Sequence, residues 1–131
     1  MVLIIFLNGC IRLKDIPSTL FNNSNQLTEL TGCFKDCVML SDIPDSFKLP
    51  VLVNNISYLF YNCQSIKYLP EKFVTSYITN YEFAFYYCHQ LTKLPRYFCL
   101  SEELNNLSNT FAYCINLSEL PVNFWPANRI Y

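Results

Sequence analysis

Seven cysteines and a lone histidine are the residues in this chain whose types could support chemistry. Cys33 and Cys37 lie four apart, a spacing that could clamp a metal on a helix, but no second Cys/His pair has zinc-site spacing. No metal or cofactor is expected. Cys88 is followed directly by His89, and a thiol–imidazole nucleophile pair needs an exposed thiol with the ring in hydrogen-bond reach. Cys88, however, shares its register with four other cysteines, which turns it inward. Asp15, Asp42, Glu71, Glu82, Glu102, Glu103 and Glu119 make no repeated close pair suited to acid–base work. Glycine occurs only at Gly9 and Gly32, so there is no phosphate-cradling loop. No enzymatic activity is expected.

The register that absorbs these cysteines is an internal repeat. Its clearest copy is Leu104–Phe124, which reads L-x-x-L-x-x-x-F-x-x-C-x-x-L-x-x-L-P-x-x-F. Aligned on the cysteine, copies fall at Cys10, Cys37, Cys63, Cys88 and Cys114, spaced 27, 26, 25 and 26 residues apart. Three positions earlier stand Leu7, Phe34, Phe60, Phe85 and Phe111, and three later Leu13, Leu40, Ile66, Leu91 and Leu117. An Ile/Leu–Pro pair follows in every copy, and a large apolar residue comes three after each proline. A self-similar period of this size marks stacked units that cannot bury their apolar faces singly. Length differences are confined to the segment after the post-proline apolar residue, as expected of a surface loop.

Residues 1–131 thus read as one domain of about five repeats, compatible with a piece of a longer array. A hydrophobic fraction of 52% excludes disorder. A net charge of −1 gives no general attraction to nucleic acid, which is not an expected partner. No stretch approaches a transmembrane span. Register-identical cysteines need not meet in bonding geometry, so reduced structural thiols are expected, which leans to a reducing setting. Leu7-Asn8-Gly9-Cys10 has the form of a lipoprotein cleavage box, with Cys10 as acylation site. No basic segment precedes it, the apolar run Val2–Leu7 is short, and the repeat register explains the same residues.

Within each repeat the first half has helical spacing. Leu104, Leu107, Phe111, Cys114 and Leu117 step by 3, 4, 3 and 3, which would line one helix face. Ser101 suits an N-cap, with Glu102 and Glu103 in the first turn. The second half, ending in Leu-Pro, is too short for a helix, and proline limits it to a brief strand. The fold expected is an α/β repeat solenoid, each coil a short helix plus a short strand in a parallel ladder.

Phe60-Tyr61-Asn62-Cys63-Gln64-Ser65-Ile66-Lys67-Tyr68-Leu69-Pro70 resembles the F-x-x-C-x-x-L core of BspA-like leucine-rich repeats. The resemblance covers nearly the whole chain and implies a leucine-rich-repeat solenoid. It also implies a role in protein binding or adhesion, many such proteins being surface-exposed. Resemblance and thiols lean to different compartments, and localisation stays open.

Two sets of non-core positions are candidate partner-binding surfaces. One is the pair of residues ahead of Leu-Pro, which gives Lys67, Tyr68, Thr92, Lys93, Ser118 and Glu119. The other lies between Phe and Cys, where Tyr61, Tyr86, Tyr87 and Tyr113 offer area with a polar tip. The function expected is a non-enzymatic protein-binding module. The alternative is a structural subunit that stacks end to end through Val2–Leu7 at one end and Phe124-Trp125 with Ile130-Tyr131 at the other.

Overall fold

A computed structural model describes residues 7–73 and 77–126. Among these there is no helix, and strand pairing is reduced to isolated parallel bridges. The expected α/β solenoid of helix-plus-strand coils is therefore not the architecture, and a leucine-rich-repeat unit does not describe this chain. The repeat instead builds a stack of five coils, numbered 1 to 5 by Cys10, Cys37, Cys63, Cys88 and Cys114, and made almost wholly of tight turns.

The hydrogen bonds show why the helical reading fails. In coil 2 the amides of Cys33, Lys35 and Cys37 donate three residues back, to the carbonyls of Leu30, Gly32 and Phe34. The alternate amides of Leu30, Gly32, Phe34 and Asp36 leave the coil, donating to Asn55, Ser57, Leu59 and Tyr61 of coil 3 at 2.8–3.0 Å. An α-helix would send every one of them four residues back. Coil 3 repeats the scheme, with Ile56, Tyr58, Phe60 and Asn62 donating to Asn80, Glu82, Ala84 and Tyr86. Coil 4 does so with Tyr81, Phe83, Phe85 and Tyr87, which donate to Asn106, Ser108, Thr110 and Ala112.

Each of these turn arcs is a tandem of two four-residue turns. The third residue of each has positive φ: Gly32 and Asp36, Tyr58 and Asn62, Phe83 and Tyr87, Asn109 and Tyr113, with Gly9 in coil 1. That is the mark of a type II turn, whose third position favours Gly or Asn. Both glycines of the chain occupy this position. The apolar residues are the first and fourth members of the turns. Two such turns in tandem place apolar residues 3 and 4 apart, the same spacing as a helix face. Ser101 shows the substitution directly: its hydroxyl accepts from the Glu103 amide at 3.0 Å, but it opens a turn closed by Leu104.

Two further turns make the proline arc. The residue three after each described cysteine closes a turn on that cysteine in coils 1, 2, 4 and 5, and the apolar residue three after each proline closes another on the proline carbonyl. Between them lie single bridges, Asp15 to Asp42 and Lys93 to Glu119, where a short strand was expected. The direction of bonding reverses along the coil. On the turn arc, amides of one coil donate to the next. Where the turn arc begins and on the proline arc, the later coil mostly donates back, as in Asn54 to Thr28, Asn105 to Thr79, Thr92 to Lys67 and Ser118 to Thr92.

The interior holds two interleaved phenylalanine columns. Phe34, Phe60, Phe85 and Phe111 stack at 5.5, 5.9 and 5.5 Å between ring centres. Phe73, Phe98 and Phe124 form the second at 6.4 and 6.0 Å. Rings of the two columns meet at steep angles, 63° for Phe73 on Phe85 and for Phe85 on Phe98. Both arrangements suit the aromatic quadrupole. Phe34, Phe60, Phe85 and Phe98 are wholly buried.

Candidate functional site

The cysteine column is structural in its geometry. Each thiol points into the preceding coil and donates to the carbonyl of the residue three before that coil's own cysteine. The contacts are Cys37 to Leu7 at 3.1 Å, Cys63 to Phe34 at 3.0 Å, Cys88 to Phe60 at 3.3 Å and Cys114 to Phe85 at 3.0 Å. A proton on sulfur is required for this, and all seven cysteines are free. Burial keeps it there. Desolvation, reinforced by neighbouring thiols, pushes Cys63 and Cys88 well above the ordinary thiol range. Desolvation likewise raises Cys37 and Cys114, each to about 11. Thiolate is the nucleophilic and metal-binding form, so these groups are held in their unreactive state.

That environment works against the pairings suggested by spacing. Cys33 and Cys37 are both buried, and desolvation lifts Cys33 to about 12. No cluster of three or more metal-ligating side chains exists among the described residues. The Cys88 thiol is committed to the Phe60 carbonyl, while the His89 ring lies 4.0 Å from the Tyr87 ring. They are adjacent in sequence and face different surroundings.

The turn arc carries the more distinctive surface. Tyr61, Tyr86, Tyr87 and Tyr113 form one connected cluster across coils 3 to 5. Tyr61 stacks on Tyr86 at 4.8 Å and 9°, Tyr86 meets Tyr113 edge-on at 5.4 Å, and Tyr87 lies 5.7 Å from Tyr113. Tyr58 and Phe83, stacked at 5.1 Å, extend it, and Lys35 caps it with its ammonium 5.1 Å from the Tyr61 ring centre. Desolvation first, and then the phenols of Tyr113, Tyr61 and Tyr87, raise Tyr86 above the ordinary phenol range. Most of these rings are half-buried, but Tyr113 is 60% exposed. Four of them, Tyr58, Phe83, Tyr87 and Tyr113, hold positive φ, a costly conformation for bulky side chains. The backbone turns place them; their ring contacts offset the strain.

The residues ahead of Leu-Pro lie on the other arc. Lys67, Tyr68, Lys93, Ser118 and Glu119 are exposed and Thr92 half-buried, aligned by the Lys67–Thr92–Ser118 backbone bonds and the Lys93–Glu119 bridge. A shallow hollow beside Lys93 and Glu119 is bordered by Glu71, Arg96, Tyr97 and Leu120. Another, beside Tyr68, is bordered by Asp15, Asp42, Ile43 and Asp45. The two predicted sets are thus two separate columns rather than one site.

Tyr58, Phe83 and Lys35 belong to the aromatic surface and are absent from the sequence-derived set. The signal for them was available: Gly9 and Gly32 mark the two left-handed positions of the repeat, and Tyr58 and Phe83 share the register of Gly32. No family model, no curated protein and no solved structure matches the chain. No helix among the described residues is long and apolar enough to cross a membrane. The segments 2–6 and 130–131, expected to supply adhesive ends, lie outside the described residues.

Proposed function

We propose that the chain is a non-enzymatic protein-binding module whose contact surface is the aromatic ridge of the turn arc. The observation that supports this most directly is the unbroken run of ring contacts from Tyr58 to Tyr113 on the outside of the stack. Tyrosine and its neighbours offer large contact area at low cost in side-chain entropy, and connected exposed aromatics mark partner sites. The ridge is nearly uncharged, so a protein surface suits it better than nucleic acid. The column Lys67, Tyr68, Thr92, Lys93, Ser118 and Glu119 is a second contact strip in this reading. Captured from its own source, a protein partner bound by the native chain should be lost with Tyr86→Ser/Tyr113→Ser and weakened by Lys67→Glu/Lys93→Glu. Retention by both folded variants would sink the assignment.

One further observation favours self-association as a second mode. The coil 5 amides of Leu107, Asn109, Phe111 and Tyr113 have no acceptor among the described residues, although their equivalents in coils 2 to 4 all donate to a following coil. An open ladder edge of this kind is a template for another chain.

A further inference from the structure

Among the described residues the open edge of coil 5 has a counterpart at coil 1, and the two match in register. Within the stack, the residue before each cysteine donates its amide to the residue two before the next cysteine. Gly9 to Lys35 is 2.7 Å, Asp36 to Tyr61 2.8 Å, Asn62 to Tyr86 2.7 Å and Tyr87 to Ala112 2.9 Å. Among the described residues, Tyr113 holds the donor of this series without an acceptor, and Asn8 holds its acceptor without a donor. The thiol series behaves alike. Leu7, Phe34, Phe60 and Phe85 each accept a thiol from the following coil, whereas the Phe111 carbonyl receives none among the described residues. Cys10, half-buried, has no carbonyl partner among the described residues. On the proline arc, Ser41 donates to Lys14, Thr92 to Lys67 and Ser118 to Thr92. This series skips the step between Lys67 and Ser41, and at the two ends the Ser118 carbonyl and the Lys14 amide have no partner of this series among the described residues.

Apolar surface at the two ends matches as well. Phe111, Leu107 and Leu117 are only partly buried, while their equivalents in coils 3 and 4 are covered almost completely. Beside them Ile115 is 72% exposed, and Ile11, at the same register position of coil 1, is 58% exposed.

We propose that copies of this chain assemble head to tail, coil 1 of one seating on coil 5 of another in the register that successive coils keep inside the chain. This rests on the self-association reading above. Tyr113 N–H then donates to the Asn8 carbonyl of the next copy, the Cys10 thiol of the next copy donates to the Phe111 carbonyl, and its Lys14 N–H donates to the Ser118 carbonyl. Ile115 packs on Ile11. The contact is heterologous, joining different patches, so it propagates as an open stack rather than closing as a symmetric dimer. Glu119 faces Asp15 across the junction, as Asp15 faces Asp42 within the chain. Screening of that like-charge pair makes assembly stronger as salt rises.

The decisive experiment is sedimentation velocity over a wide dilution series on the native chain, Ile11→Glu, Ile115→Glu and an equimolar mixture of the two variants. Both positions are exposed, and unchanged thermal midpoints verify that each variant folds. The native chain should grow in mass with concentration, each variant alone should stay monomeric, and the mixture should stop at a dimer, because one competent junction remains. Alkylation of Cys10 should slow as the native chain associates, a readout that a merely structural role would not move with concentration. A native chain that stays monomeric throughout overturns self-association altogether. A native dimer that survives in one variant alone, with no new species on mixing, leaves self-association standing and overturns the head-to-tail register.

Discussion

Coils 4 and 5 share the Phe, Cys, Leu and Leu-Pro positions of the repeat and differ in what lies above them. Phe85 and Leu91 of coil 4 are fully buried; Phe111 and Leu117 of coil 5, identical in type, are only partly so. Cys88 is sealed, and Cys114 is at the margin with 9% exposure. The four outward amides of coil 4 all find carbonyls, and those of coil 5 find none among the described residues. Burial here is conferred by the next coil. A repeat of this kind has no interior of its own, which is the behaviour of a quasi-one-dimensional array whose stability resides in its interfaces.

The comparison is broken most severely by emptying the phenylalanine column. Phe85→Ala should cost about 3–5 kcal/mol, the range for a fully buried phenylalanine, while Phe111→Ala should cost roughly half as much because its site is already open on one side. Denaturant midpoints of the two variants test this; equal losses would mean that coil 5 is covered as well as coil 4.

Alkali should act next. A thiol whose folded pKa lies above its unfolded value keeps its proton longer in the native state, so the unfolded state binds fewer protons and stability falls as pH rises. The loss should begin near pH 9.0, the ordinary thiol value, and extend through about 11 for Cys37 and Cys114, with the sealed Cys63 and Cys88 contributing beyond. Thermal midpoints across that range should fall, and Cys114 should be alkylated before Cys88. A flat profile would mean that the thiols titrate alike in both states.

Smaller effects sharpen the comparison at the turns. Gly32→Ala meets nothing nearer than 3.8 Å, so its cost is that of the left-handed backbone, about 1–2 kcal/mol. Asn109→Gly, at the equivalent position of coil 5, should change stability by less than about 0.5 kcal/mol, since Asn already tolerates this conformation. Thermal melts of both variants decide whether the left-handed position carries the same demand in a paired and an unpaired coil.

The sequence made the period, the register and the inward-facing residues legible, because the repeated Phe, Cys, Leu and Pro positions are core positions whatever the backbone does. It did not make the backbone legible. Leu107, Phe111 and Cys114 can be three successive helix-face residues or the corners of consecutive turns, and both put apolar groups 3 and 4 apart. Only φ separates the two, and its clue was confined to Gly9 and Gly32, since coils 3 to 5 place Tyr, Asn and Phe in the same left-handed positions. The tyrosines between Phe and Cys could be nominated from their place beside the repeated core positions, whereas Tyr58 and Phe83 are tied to them only through the left-handed register that Gly32 marks, which is read once the arc is known to be tandem turns.

The reversal of hydrogen-bond direction between the two arcs has an electrical consequence. Peptide dipoles on the turn arc point one way along the stack, and most of those on the proline arc and where the turn arc begins point the other way, so their sums partly oppose. An α-helix accumulates partial charge at its ends because its dipoles are aligned. A stack of these coils charges its poles less than a bundle of fully aligned dipoles would, so each added coil builds a weaker field against the next addition.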